Sequence, residues 1–122
     1  MEVMNIREAE RIETSEGIMR PLLFGRNLSL FYLEAPPQLE VPAHGHPGEG
    51  VLYCLEGEVE AISDQGKTVV KSGTALLVRP NEELGLRNPT AATAKALLIS
   101  SPGTARSLEE FKELLKGFGS AK

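Results

Sequence analysis

The chain has 122 residues, a length for one domain, and Leu, Ile, Val and Phe make up about a quarter of it, above the share of about a fifth below which disorder is expected. It holds two His, one Cys and one Asp, which excludes an internal disulfide framework and a Cys-rich zinc site. The net charge is −4 and the basic residues are scattered singly, so neither nucleic acid nor an anionic membrane is an expected partner. With no apolar stretch near 18 residues and no basic-then-apolar start, we expect a cytoplasmic protein.

The first 20 residues leave two alternatives open. Ile6, Ala9 and Ile12 fit a weak helix, and an added edge strand fits equally well. Beyond them, turn residues separate short apolar runs at 28–33, 51–55, 59–62, 68–70, 75–78 and 94–99. Such spacing is typical of an all-β sandwich or barrel.

Two local signals are more specific. The alternation of polar and apolar residues over 58–71, around Asp64-Gln65-Gly66, predicts a hairpin. Ser107 and Glu110 form a capping-box pattern, and the apolar residues that follow recur at helical spacing. We therefore predict one amphipathic helix over 107–117 that packs its apolar face on the barrel.

Both histidines of the chain lie in one tripeptide, His44-Gly45-His46. On an extended strand, residues two apart project from the same face, so the two imidazoles can chelate one cation. A useful metal site needs three or four ligands, so this pair alone binds weakly. The alternative is a polar pair at the mouth of the barrel, hydrogen-bonded to water and backbone.

The stretch from His44 to Gly57 resembles the first motif of the cupin superfamily. That motif reads Gly, five residues, His-x-His, three or four residues, Glu, six residues, Gly, and His44, His46 and Gly57 occupy its places. The spacing of the second cupin motif is also present, with Gly73 and Asn88 at its first and last positions. The resemblance covers roughly residues 28–117. It implies a cupin (RmlC-like) jelly-roll β-barrel over about 24–100, within a single cupin domain of 1–122.

The departures from the family pattern concern the metal ligands. The resemblance implies four of them: two His and a carboxylate from the first motif, and one His from the second. Gly50 and Leu84 stand at the last two of these positions. Glu49 is adjacent to Gly50, but on a regular strand it points to the opposite face, and it reaches the site only if Pro47-Gly48 bends the chain. The resemblance therefore implies a degenerate site of His44, His46 and Glu49 that holds a divalent metal (Mn, Fe, Ni or Zn) weakly, or none.

A ligand pocket is expected beside these residues. Leu52 and Cys54 share the parity of His44 and His46, which predicts that they point inward with Leu84. Cys54 is then a small buried hydrophobe rather than a nucleophile. Arg87, of opposite parity to Leu84, is a candidate to anchor a carboxylate of the ligand, with a surface salt bridge as the alternative.

Three functional hypotheses remain. The first is a cupin that binds a small molecule without a complete metal site. The second is a metal-dependent cupin enzyme (a dioxygenase, isomerase or decarboxylase) that acts on a small acid or sugar derivative. The third is a ligand sensor or interaction module. In each, a homodimer is expected, because an open sandwich leaves strand edges that a second copy can cover, the N-terminal segment being the first candidate.

Overall fold

The computed structural model describes residues 1–117, in which a 3-10 turn at Ile6–Glu8 precedes ten strands and one helix. The strands are β1 (Ile12–Thr14), β2 (Gly17–Phe24), β3 (Ser29–Ala35), β4 (Glu40–His44), β5 (Glu49–Glu56), β6 (Glu58–Ser63), β7 (Gly66–Lys71), β8 (Ala75–Val78), β9 (Leu84–Arg87) and β10 (Ala94–Ser101). The helix α1 covers Leu108–Gly117. Within the described residues, no helix is long and apolar enough to cross a membrane. The predicted all-β fold with one short C-terminal helix is confirmed.

The strands form two antiparallel sheets that enclose the core. One has six strands in the order β1-β2-β3-β10-β5-β8, and the other has four in the order β4-β9-β6-β7. The chain crosses between the sheets several times, which gives the jelly-roll connectivity that the sequence predicts. The predicted hairpin is β6–β7, where Ser63 pairs with Gly66, and the positive φ of Gly66 is one that glycine adopts without strain.

The N-terminal segment forms the predicted edge strand, and only a single 3-10 turn stands where the helical alternative placed a weak helix. Ile6–Glu8 forms a single 3-10 turn, and β1 pairs with β2 as an edge strand of the larger sheet. The strands thus begin at Ile12, before residue 24, near which the family resemblance places the start of the barrel. The pattern missed most of β2 because Pro21 and the two leucines after it break the alternation; a register shift between Pro21 and Leu23 accommodates them.

The core lies between the sheets and is apolar. Phe31 of β3 is 1% exposed, and Leu52 and Cys54 of β5 are buried beside it. The ring of Phe31 meets Phe111 of α1 edge-to-face, with 4.9 Å between the ring centroids. This contact docks the helix on the barrel, as the sequence predicts.

The start of α1 follows the predicted cap with one change. The Ser107 hydroxyl accepts the backbone N–H of Glu110 at 3.1 Å, as an N-cap does. The Glu110 carboxylate accepts the N–H of Arg106 at 2.7 Å, one residue earlier than the capping box predicts. An ion pair of 2.7 Å between Lys112 and Glu10 also connects the helix to the N-terminal segment.

Candidate functional site

His44 is the last residue of β4 and lies directly opposite Leu84, the first residue of β9. Residues opposite each other in an antiparallel pair project from the same face, and Leu84 packs against the core, so His44 points inward. Its Nδ1 is 2.9 Å from the carbonyl oxygen of Pro42. Because a carbonyl oxygen only accepts hydrogen bonds, Nδ1 carries the proton in this contact. Nε2 then points away from the backbone of β4.

His46 lies in the loop after β4, beside His44. The two imidazole rings pack edge-to-face with 4.9 Å between their centroids. The loop is held in place by the backbone N–H of Asn81, which donates to the carbonyl of His46 at 2.7 Å. Gly45 allows the backbone of the loop to approach Asn81 closely, because a Cβ there would lie 3.2 Å from the Asn81 carbonyl oxygen, closer than an ordinary van der Waals contact. The predicted side-by-side arrangement of the histidines is therefore present.

A third polar side chain reaches this pair from the turn between β1 and β2. An oxygen of the Glu16 carboxylate lies 3.5 Å from Nε2 of His44, and the side chain of His44 is 37% exposed. The turn is shaped by Thr14, whose hydroxyl accepts the N–H of Glu16 and donates to the carbonyl of Gly17. No sequence pattern links Glu16 to the histidines, because the contact joins residues far apart in the chain. We call His44, His46 and Glu16 the histidine site.

The other two ligand positions of the family hold no donor. Leu84 is half-buried and apolar. Gly50 pairs with Ser100 on one side and Val78 on the other, and a Cβ added to it would have only the Ile99 carbonyl oxygen within 4 Å.

The register between β5 and β10 does not allow Glu49 to replace the missing carboxylate. Glu49 pairs with Ser101 without a break in register before Gly50, so it projects from the opposite face to Gly50, and it is exposed. Among the described residues, no three His, Cys, Asp or Glu side chains are grouped so as to hold a metal ion. The four-ligand metal centre of the family thus does not fit these residues, and the metal role of His44, His46 and Glu49 stays a prediction.

The interior of the barrel is filled rather than hollow. Leu52, Cys54 and Leu84, predicted to line a ligand pocket, belong to or pack against the core. The cavity that Leu52 and Cys54 line measures about 10 Å³, no more than one water-sized sphere needs. Burial raises the pKa of the Cys54 thiol, which favours the protonated form over the nucleophilic thiolate.

Arg87 lies on the other face of its strand from Leu84. Its Nε and Nη2 both donate to one carboxylate oxygen of Glu60, at 3.0 and 2.7 Å. The Lys67 ammonium lies 3.5 Å from the other oxygen of Glu60. The hydrogen bond from Arg87 holds the pKa of Glu60 below its ordinary value. Arg87 thus forms an ion pair, which was the alternative to binding a ligand. Its role in anchoring a carboxylate of the ligand stays a prediction.

Comparison with known proteins agrees with the fold and the motif. The family model described as "Cupin domain" matches residues 31–100. The chain belongs to the cupin family. A search of curated proteins found no match for this cupin.

Solved structures similar to this cupin share its fold at low sequence identity. An RmlC-like cupin from Shewanella frigidimarina is 21% identical with a TM-score of 0.77, over 85% of this chain and 93% of that one. The polyketide cyclase RemF from Streptomyces resistomycificus is 20% identical with a TM-score of 0.75, over 93% of this chain and 92% of that one. An ectoine synthase from P. lautus is 22% identical with a TM-score of 0.75, over 84% of this chain and 79% of that one. At these identities the likeness establishes the fold alone.

Proposed function

We propose that this cupin binds a small molecule, a small acid or a sugar derivative, at the histidine site, without the complete metal centre of its family. The observation that carries the proposal is the edge-to-face pair of partly exposed imidazoles at the end of β4, 4.9 Å apart. The filled interior supports a site at the end of the barrel rather than within it.

The chemistry of the three side chains favours a polar ligand. Imidazoles supply both hydrogen-bond donors and acceptors, and the Glu16 carboxylate supplies acceptors. A molecule with hydroxyl and carboxyl groups satisfies this set, whereas an apolar ligand leaves it unpaired. Gly50, near the start of β5, carries no side chain that would compete with a ligand for space, and a Cβ there would have only the Ile99 carbonyl oxygen within 4 Å.

A metal-dependent enzyme is the second candidate. The Pro42 carbonyl at 2.9 Å from Nδ1 of His44 is the kind of partner that orients a metal-ligating histidine in other proteins. Relatives of similar fold include a polyketide cyclase and an ectoine synthase. A divalent ion (Mn, Fe, Ni or Zn) held by His44 and His46 would act as a Lewis acid for such chemistry. The first candidate is preferred because Gly50 and Leu84 supply no ligand.

We also propose that the protein acts in the cytoplasm. The single cysteine is a free, buried thiol, and a chain without disulfides suits a reducing compartment.

Replacing His46 with Ala tests the proposal. We expect the wild-type protein to be stabilised against thermal unfolding by at least one member of a panel of sugar acids and small hydroxy acids, and His46→Ala to lose at least about tenfold in affinity for it. Scanning fluorimetry identifies the compound and calorimetry measures its dissociation constant. Val69→Ala, an exposed apolar position on β7, is the matched control and should bind as the wild type does. Equal affinity of His46→Ala and the wild type would contradict the proposal.

A further inference from the structure

A groove of about 530 Å³ lies between the N-terminal segment, β2 and the start of α1. This volume is within the range of about 300–1,000 Å³ that is typical of small-molecule sites. None of the described residues that line the groove belongs to the histidine site. It is therefore a second concave surface of the barrel, and we call it the N-terminal groove.

The wall of the N-terminal groove that β2 forms is apolar. Pro21 and Leu22 are buried, and Phe24 is half-buried. The ring of Phe24 is held edge-to-face on Phe31, with 5.7 Å between the ring centroids. Met4 of the N-terminal segment also lines the groove, and it is 42% exposed. Because apolar surface in contact with water gains when an apolar molecule covers it, this wall favours a ligand with an apolar body.

Hydrogen bonds and an ion pair hold the N-terminal segment, which forms the opposite wall. The guanidinium of Arg20, on β2, donates to the carbonyl oxygens of Ile6 and Ala9, at 3.3 and 3.0 Å. The Lys112 ammonium of α1 lies 2.7 Å from the carboxylate of Glu10. The segment is thus joined both to β2 and to α1. A ligand meets a preformed groove, which lowers the entropic cost of binding.

The charged groups of the N-terminal groove are mostly acidic. Glu2, Glu8 and Glu10 line it, and Arg106 is the one lining cation among the described residues. The side chain of Arg106 is 89% exposed and lies 3.7 Å from a carboxylate oxygen of Glu110. Of the three lining carboxylates, only that of Glu10 has an ion-pair partner within residues 1–117. Two unpaired carboxylates beside an apolar wall attract an ammonium group and repel an anion.

We propose that the N-terminal groove binds a small organic cation, an amine whose apolar body lies on the β2 wall and whose ammonium group faces Glu2 and Glu8. A neutral molecule with the same body gains the hydrophobic contact without the attraction, and an anion is repelled. Because both carboxylates are exposed, added salt weakens the attraction. The histidine site takes no part in this binding, so the groove is tested separately from the proposed function.

Three probes with the same apolar body test the charge preference: phenylbutylamine, phenylbutanol and phenylbutyrate. Each is titrated at pH 7 into the full chain while two-dimensional amide NMR spectra are recorded. We expect phenylbutylamine to bind saturably, at least about threefold more tightly than phenylbutanol and about tenfold more tightly than phenylbutyrate. Its affinity should fall between about 0.05 M and about 0.5 M salt.

The same spectra locate the bound amine. We expect the amide signals of Leu22, Phe24 and Leu108, which line the groove, to shift with phenylbutylamine. The amide signal of Val69, on β7 of the other sheet, should stay where it is.

The variant Glu2→Gln/Glu8→Gln removes both unpaired charges and keeps the shape of the side chains. We expect it to lose at least about threefold in affinity for phenylbutylamine and to bind phenylbutanol as the wild type does. Glu40→Gln/Glu83→Gln removes two charges at exposed positions, on β4 and in the turn before β9, and should bind the amine as the wild type does. The amide spectrum of each variant also shows whether the barrel is folded.

Absence of saturable binding of phenylbutylamine would overturn the proposal, and so would shifts centred on another part of the barrel. Equal binding of phenylbutanol or phenylbutyrate would show that the groove takes an apolar body without regard to charge, and equal affinity of the two double variants would show that Glu2 and Glu8 do not attract the amine. Either result would contradict the proposal. Shifts of the groove amides on dilution of the protein alone would show that a second copy occupies the groove, which would also overturn it.

Discussion

At the scale of single residues, the sequence predicts on which face of a strand a side chain lies, but not its contacts with distant residues. The two-residue period of a strand predicts the pairing of His44 with His46, and their rings do lie together, although His46 lies in the loop after β4. The same period separates Arg87 from Leu84, and they do lie on different faces. Neither the contact of Glu16 with His44 nor that of Glu60 with Arg87 has a local signal, because each is set by how distant strands and turns come together.

The Glu60–Arg87 pair predicts a pH-dependent contribution to stability. The hydrogen bond from Arg87 lowers the pKa of Glu60, so the pair stabilises the fold above the ordinary carboxyl pKa of 4.5 and loses that effect as the pH falls through the lowered value. We expect Arg87→Met to reduce the free energy of unfolding at pH 7, and the difference from the wild type to shrink below about pH 4.5. Urea titrations at pH 7 and pH 3 measure it, and a difference that stays constant would contradict this role of the pair.

Secondary-structure elements were predictable where their signals are local. The β6–β7 hairpin and the cap of α1 depend on neighbouring residues, and both are confirmed. β9 was missed because Gly85 interrupts its apolar pattern, and the reason for that glycine is tertiary: a Cβ there would lie 2.9 Å from the Val41 carbonyl oxygen of β4. In the sequence, the close approach of two backbones is visible only as a glycine, which by itself does not indicate a strand.

The docking of α1 depends on Phe111. Its ring is 4% exposed and packs against Phe31 at the centre of the core. We expect Phe111→Ala to lower the free energy of unfolding by about 3–5 kcal/mol, the usual cost of removing a buried phenylalanine. Leu114→Ala on the same helix, where the side chain is 38% exposed, should cost less than about 1 kcal/mol. Equal losses in chemical denaturation would show that the helix is held by some other contact.

Tyr32 of β3 is buried in a small cluster with Ala9 of the N-terminal segment and Leu22 of β2. Alkaline titration examines this contact. Burial and the hydrogen bond to Glu34 raise the pKa of Tyr32 to about 12, so the folded state keeps this phenol neutral where an unfolded chain ionises it. The contribution of Tyr32 is present below pH 10 and is lost as the pH rises toward 12. We expect Tyr32→Phe to abolish a stability decrease between pH 10 and pH 12, measured by urea titration. The same decrease in the variant would contradict a phenol buried under the N-terminal segment.

At the scale of the whole molecule, the barrel keeps the strand arrangement of its family but differs in the residues at two metal-ligand positions and in its filled interior. The two sheets, the crossovers and the motif positions His44, His46 and Gly57 are present. The sequence identifies which ligand positions hold no donor, Gly50 and Leu84, because that depends only on spacing. It does not show that the interior is filled, since that depends on side chains from every strand at once.

The most direct test of the account restores the missing ligands. We expect the purified wild type to retain far less than one equivalent of metal, and Gly50→Glu/Leu84→His to retain about one equivalent of Mn, Fe, Ni or Zn after incubation with the ion and gel filtration, because two imidazoles then gain two partners. Elemental analysis of both proteins measures the metal content, and removal of His44 from the double variant should abolish it. A wild type that already holds one tightly bound metal per chain, or a restored variant that holds none, would contradict the account.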